Sequence, residues 1–189
     1  MRNAITIRPE AKKDYKSIIS LILRSFSEGT DYSDGTDVLA LVEEIRGSDN
    51  YIPELSFVAE CDGEIMGHFM FSHLQLSQTS EGNECSTDKG DIVMLAPVSV
   101  HADYMRKGIG TAMLNMGIEK AKAAGFKGIT VEGNYNYYNR FGFMTSSEFG
   151  IIPTSGFPLV EPRCMMVMAA YPGSLDDIQG YIVYPYYNA

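Results

Sequence analysis

Val98-Ser99-Val100-His101-Ala102-Asp103-Tyr104-Met105-Arg106-Lys107-Gly108-Ile109-Gly110-Thr111 closes an apolar run that begins at Ile92 and opens an amphipathic stretch that ends at Gly125. The order is strand, glycine loop, helix. Two glycines flanking Ile109 let the backbone approach a ligand closely, and the first N–H groups of the helix that follows lack intrahelical partners. Such a loop cradles anions. Arg106 and Lys107 add charge, so the expected guest is a phosphate or pyrophosphate, held by charge-assisted bonds of roughly 1.5–3 kcal/mol each. The same glycines also suit a tight strand-to-helix turn packed with no ligand at all.

Two phosphate-binding patterns can be tested against these letters. Lys107 precedes Gly108 and Thr111 follows Gly110, so the Gly-Lys-Ser/Thr order of an ATP-hydrolysing loop is absent. A dinucleotide fingerprint is nearer: Gly108-Ile109-Gly110-Thr111-Ala112-Met113 has two of its three glycines, and Glu132 sits near the distance at which an acidic residue meets a ribose. Against it, Met113 occupies the place of the third glycine, and half the chain precedes the loop without a βαβ pattern. A dinucleotide-binding oxidoreductase therefore stays open as an alternative at this point.

Further along, Gly133-Asn134-Tyr135-Asn136-Tyr137-Tyr138-Asn139-Arg140-Phe141-Gly142-Phe143 follows a short apolar run from Gly128 to Glu132. With Arg-Lys-Gly-Ile-Gly before it and Tyr-x-x-x-Gly-Phe within it, the chain resembles the GNAT superfamily of acyl-CoA N-acyltransferases. It is most similar to the single-domain bacterial acetyltransferases that carry Tyr-Tyr-x-Arg-Phe-Gly-Phe. The resemblance covers about residues 4 to 170, with its motifs between 92 and 143. It implies an α/β fold on a mixed α+β sheet, with an antiparallel first half and a splayed parallel strand pair at the cofactor site. It also implies acetyl-CoA as cosubstrate, no metal, and direct attack by an amine acceptor in a ternary complex.

Residue roles follow from the same resemblance. Val98, Ser99 and Val100 would hydrogen-bond the pantetheine arm like an added strand, and Arg106, Lys107, Gly108, Ile109, Gly110 and Thr111 would hold the pyrophosphate. Asn134 joins this cofactor-binding set. Where the strands part, a backbone N–H would stabilise the oxyanion, a contribution whose loss typically costs ~2.7–4 kcal/mol. Met105 stands where the family usually has Gln or Arg, so a side-chain contact there is absent. Tyr138 is the implied proton donor to the leaving thiolate, with Tyr137 one residue away. Glu60 and His68 are the candidates for general base, His68 reading equally as a half-buried strand residue. A non-catalytic acyl-CoA sensor of the same fold is the second reading.

Composition sets bounds. The chain has 189 residues, 45% hydrophobic and 21% charged, which suits one domain over 1–189 with a core at about 4–170 and a C-terminal strand segment at about 171–189. Met1-Arg2-Asn3-Ala4-Ile5-Thr6-Ile7 lacks the apolar segment of a signal peptide and no stretch approaches membrane-spanning length, which predicts a cytoplasmic protein without a membrane partner. Cys61, Cys85 and Cys164 contain no Cys-x-x-Cys, and His68, His73 and His101 do not join them at zinc-ligand spacing. Buried reduced thiols and no structural metal are expected. A net charge of −9 disfavours nucleic acid and suits a cationic amine acceptor. A homodimer is left open.

The remaining pattern predicts a frame. Ile5 to Arg8 reads as a strand stopped by Pro9, and Asp14 as the cap of a helix burying Ile18, Ile19, Ile22, Leu23 and Phe26. Val38 to Arg46 reads as a second helix ended by Gly47. In the resembling family these helices and the polar loop Glu28 to Asp37 border the acceptor side. Leu55 to Cys61 and Glu64 to Leu76 read as strands joined through Asp62-Gly63. Ser77 to Gly90 has no periodicity and reads as a hairpin loop. After the glycine loop, Thr111, Asn115, Glu119 and Lys122 form a polar helical stripe, so the helix packs on a sheet. Cys164 to Ala170 and Tyr181 to Tyr184 are the last expected strands.

Overall fold

Short alternating runs and left-handed turns set the elements of this chain. The structure is a computed structural model and describes residues 5–27, 34–80, 90–153 and 161–183. Strands in chain order are β1 (Thr6–Pro9), β2 (Tyr51–Cys61), β3 (Glu64–Leu74), β4 (Leu76–Ser77), β5 (Ile92–Val100), β6 (Gly128–Glu132), β7 (Met144–Thr145), β8 (Ile151–Pro153), β9 (Met165–Ala169) and β10 (Gly180–Ile182). Helices are α1 (Tyr15–Ser27), α2 (Thr36–Gly47), α3 (Ile109–Ala123) and α4 (Tyr135–Tyr138). The chain forms two compact units, Met1–Phe71 with Ala96–Gly117 and Ser72–Leu95 with Ile118–Ala189. It passes from one to the other inside β3, β5 and α3, never at a linker.

In the first unit the strand order is β1-β2-β3-β5. β1 runs antiparallel to β2, with Thr6 opposite Glu60 and Pro9 opposite Phe57, so Pro9 belongs to the strand instead of stopping it. That is tolerable because proline fits an edge strand. β2 enters β3 through Asp62 (φ 52°) and Gly63 (φ 84°), the two positive dihedrals that a two-residue hairpin demands. α1 is preceded by a 3-10 turn at Lys12–Asp14, and Asp14 fastens it by accepting the Ala11 N–H at 2.8 Å and gripping Arg8 at 2.7 and 2.9 Å. Its buried face is Ile18, Leu21, Ile22 and Ser25, while Ile19, Leu23 and Phe26 are only half-buried. The stripe is therefore rotated by about one residue from the expectation. At the core Phe57 stacks on Phe69 at 5.2 Å and Phe69 meets Phe71 edge-on at 5.9 Å. Gly117 of α3 stands over those rings, where an added Cβ would come within 2.5 Å of Phe69.

In the second unit the order is β5-β6-β9-β7. β5 and β6 are parallel from Ile92↔Gly128 to Met94↔Thr130, and β6 is antiparallel to β9 from Gly128↔Ala169 to Glu132↔Met165. A mixed sheet, with β1–β2, β6–β9 and β7–β9 antiparallel and β5–β6 parallel, matches the expected α/β class. A second sheet of order β4-β10-β8 was not expected. Its strands have two or three residues, too few for a period of two to register. Much of the expected Ser77–Gly90 hairpin loop, residues 81–89, lies outside the described residues, as do 28–33, 154–160 and Tyr184.

Candidate active site

β5 ends as the sequence suggests, in a loop open to solvent. His101 donates its N–H to the Met66 carbonyl at 2.9 Å, and its Nδ1 accepts from the Asp103 N–H at 3.3 Å, capping a 3-10 turn at Ala102–Tyr104. Met105, Arg106, Lys107 and Gly108 are all exposed. Arg106 (φ 59°) and Gly108 (φ 90°) are both left-handed, and together they swing the chain into α3. Glycine takes such a dihedral freely, whereas Arg106 holds it at a cost of about 1 kcal/mol. The first helical bond runs from the Ala112 N–H to the Gly108 carbonyl at 3.0 Å. The N–H groups of Ile109, Gly110 and Thr111 therefore have no intrahelical acceptor and carry the positive end of the helix dipole. Lys107 Nζ lies 4.9 Å over the Tyr104 ring. On β5 itself, Val98 and Val100 are half-buried and Ser99 is buried, its hydroxyl without a hydrogen-bond partner among the described residues.

The Tyr-rich segment lies in the second unit. Asn134 is exposed and caps α4, its side-chain oxygen accepting the Tyr137 N–H at 3.2 Å. The Tyr138 ring lies against Gly133, where an added Cβ would stand 2.7 Å from its Cε2, and it packs edge-on to Phe143 at 5.8 Å. Burial, with a smaller contribution from Tyr137, pushes the Tyr138 phenol up from its ordinary value. It stays protonated at neutral pH, as a proton donor must. Sequence reasoning passed over Glu132 as a catalytic residue. This last residue of β6 has a buried carboxylate oxygen with no partner among the described residues, and burial alone pushes its pKa up to about 7. The available signal was a charge ending the run Gly128-Ile129-Thr130-Val131 directly before Gly133.

Glu60 and His68 are each held by neighbours in the first unit. Arg8 grips Glu60 through Nε at 2.8 Å and Nη2 at 2.6 Å, clamping β1 to β2. His68 is fully buried, its Nε2 2.8 Å from Glu10 Oε2. Glu10 also accepts from Arg46 at 2.8 and 3.1 Å and from the Tyr51 hydroxyl at 2.8 Å. Burial alone would raise Glu10, but the donors His68, Arg46 and Tyr51 outweigh it and hold the carboxyl down to about 2. Burial also drives His68 down, against the pull of Glu10, so the ring is neutral and Nε2 donates its proton to the carboxylate.

Beside α1 a groove of about 390 Å³ is lined by Lys16, Ser20, Arg24, Glu64, Met66 and His101. Cys61 and Cys164 are half-buried, less enclosed than expected, and Cys85 lies outside the described residues. Among the described residues no group of three or more His, Cys, Asp or Glu could hold a metal ion, and no helix is long and apolar enough to cross a membrane.

Comparison with known proteins agrees with this geometry. Residues 17–143 match the Acetyltransferase (GNAT) family, and the chain belongs to that family. It is 29% identical to the uncharacterized N-acetyltransferase YjhQ of Escherichia coli (strain K12) over 132 residues, 70% of this chain and 65% of that one. The chain thus spans less than two thirds of that relative's length. The fold is similar to the GNAT family N-acetyltransferase YhbS of Escherichia coli, solved with CoA, at a TM-score of 0.79 over 100% of this chain and 93% of that one, with 22% identity. A GNAT family acetyltransferase of Brucella melitensis, solved with acetyl-CoA, gives 0.72 over 96% of each chain at 26% identity. The dinucleotide alternative is overturned, because a doubly wound domain needs two halves of parallel strands and the sheet here is mostly antiparallel.

Proposed function

We propose that this protein is an N-acetyltransferase that passes the acetyl group of acetyl-CoA to an amine by direct attack in a ternary complex. One observation carries the reading: in a GNAT family chain, apolar β5 runs into an exposed cationic loop whose two left-handed residues open α3 with unpaired N–H groups. The residues fit the cosubstrate. Adjacent N–H groups at Ile109, Gly110 and Thr111, with Arg106, Lys107 and the permissive Gly108, suit a pyrophosphate. The extended backbone of Val98, Ser99 and Val100 suits a pantetheine arm, and Asn134 completes the proposed set. A reducing, cytoplasmic setting and a cationic acceptor, suited to the net charge of −9, belong to the same proposal.

In this reading the amine nitrogen attacks the thioester carbonyl, a backbone N–H near the end of β5 steadies the oxyanion, and the C–S bond breaks as the amide forms. Tyr138 gives its phenolic proton to the leaving thiolate. The surplus proton on the new amide nitrogen then restores the phenol. Glu60, through its ion pair with Arg8, and neutral His68, through its hydrogen bond to Glu10, position β1, β2 and β3 and take no proton from substrate.

Calorimetry with acetyl-CoA tests the loop. Gly110→Glu puts a carboxylate beside the proposed pyrophosphate and should abolish binding in a folded protein. Unchanged affinity defeats the loop assignment. Thiol release with a panel of primary amines tests the reaction, since an acyl-CoA sensor would bind without turnover.

A further inference from the structure

β6 reads Gly128-Ile129-Thr130-Val131-Glu132, and only its last side chain ionises. Thr130 and Glu132 lie on the same face of the strand, two residues apart. At the rung Met94↔Thr130 the described pairing with β5 ends, and the Thr130 hydroxyl donates to the Val93 carbonyl at 3.2 Å. Glu132 therefore follows directly on the place where the parallel pair parts. Its Oε2 is buried and has no hydrogen-bond partner among the described residues. A carboxylate kept away from water without a donor is costly and calls for an explanation.

Resting on the acetyltransferase reading, we propose that Glu132 is the general base that takes the proton from the acceptor's ammonium group. Glu132 and Tyr138 belong to one short segment. The Glu132↔Met165 pairing and the Gly133 N–H to Cys164 carbonyl bond at 3.0 Å fix its start, and the Asn134 cap fixes its helix. The Tyr138 ring fills the space over Gly133, the residue after Glu132. Burial lifts each group, the carboxyl to about 7 and the phenol above its ordinary value, where it stays protonated.

Among the described residues no charge shifts Glu132, and burial alone does so. The elements around it bring Tyr135, Tyr137 and Tyr138 from α4, the Cys164 thiol next to β9, and Arg163, which is engaged with Glu161 at 2.7 Å and lies 5.7 Å over the Tyr135 ring. β5 from Ile92 to Val100 carries no titratable side chain. The step balances simply. One proton passes from the ammonium nitrogen to Glu132 and on to solvent, and the neutral amine then forms the N–C bond while the C–S bond breaks and Tyr138 protonates sulfur. The role also selects the acceptor class, a protonated alkylamine, because a nucleophile already neutral at pH 7 needs no base.

The experiment compares wild type with Glu132→Gln by thiol release, using butylamine and spermidine as alkylamine probes and methoxyamine as a nucleophile already neutral at pH 7. The variant is expected to lose about 10²-fold or more in kcat/KM with the alkylamines, to stay within about threefold with methoxyamine, and to bind acetyl-CoA normally by calorimetry. Its pH profile should also lose a limb near 7. Equal loss with all three nucleophiles, or no loss, overturns the role of Glu132. Wild-type protein that binds acetyl-CoA but releases thiol with none of them overturns the acetyltransferase reading itself, a separate outcome. If Glu132→Gln does not fold, Glu132→Asp, which withdraws the carboxylate by one methylene, must show the same split between nucleophiles.

Discussion

Replacing Glu132 with Gln is expected to make the protein more stable at pH 8 even as it removes the proposed base. The carboxyl stands at about 7 in the fold against an ordinary 4.5. At about 1.4 kcal/mol per tenfold change in proton affinity, keeping a wholly buried group ionised would cost about 3 kcal/mol, and solvent screening of the half-buried Glu132 cuts this to about 1.5–2 kcal/mol. The folded value lies above the unfolded one, so the contribution to stability is fully present below pH 4.5 and is lost as pH rises through 7. Gln carries no charge but leaves an amide in the same half-buried place, which returns about 0.5 kcal/mol of that gain. The net expectation is roughly 1–1.5 kcal/mol of added stability at pH 8 and none at pH 5. For 189 residues the unfolding entropy is about 0.4 kcal/mol/K, so Tm should rise by about 3–4 °C at pH 8. Thermal unfolding by circular dichroism at the two pH values measures it. A Gln variant that loses stability at pH 8 would show that Glu132 has a cationic partner in solution, and an equal gain at both pH values would show that the gain does not come from ionisation; either result refutes the reasoning.

Three further outcomes follow from the same structure. Glu10→Gln leaves Arg46, whose side chain is 7% exposed, with the exposed Glu43 and the face of the Tyr15 ring at 3.9 Å, and should cost about 3 kcal/mol; urea titration measures this, and Arg46→Met added to it should recover most of the loss. Because the Glu10 carboxyl is held below its ordinary value, its contribution is present above pH 4.5 and is lost as pH falls toward 2, so the Gln variant should lack that acid limb. Tyr138→Phe should lower kcat by about 10²-fold with KM for acetyl-CoA nearly unchanged, whereas Tyr137→Phe should not; the reverse result would move the acid by one residue. Arg106→Gly relieves a left-handed arginine and should add about 1 kcal/mol of stability while weakening acetyl-CoA binding roughly tenfold; unchanged affinity by calorimetry would remove Arg106 from the site.

What the sequence could disclose was local chemistry. The Asp62-Gly63 hairpin, the glycine loop opening α3 and the polar stripe of Thr111, Asn115 and Glu119 are each written within a few residues, so the frame was legible. The burial face of α1 was less so, because Leu21 and Ser25 go inside while Ile19 stays half-exposed, and which side of a helix faces the sheet depends on the partner surface. Strands of two or three residues, as in the second sheet, fall below any period. His68 was ambiguous for a similar reason. Its neutral state and its bond to Glu10 depend on a residue 58 positions away.

The two buried carboxyls show why the site was harder to read than the fold. Glu10 receives donors from His68, Arg46 and Tyr51, which hold it ionised near pKa 2, where it can bind partners but cannot accept a proton at neutral pH. Glu132 is half-buried, with a buried Oε2 that has no hydrogen-bond partner among the described residues, and desolvation alone brings it to about 7, the range in which a carboxylate can take a proton and release it again. Nothing in the two letters distinguishes them, since the difference lies wholly in what the fold places around each. A carboxylate or imidazole on the strands expected to face the thioester points to Glu60 and His68, both of which have partners in the fold. The proposed base is the group whose buried Oε2 has no hydrogen-bond partner among the described residues, on the strand that leads to Tyr138.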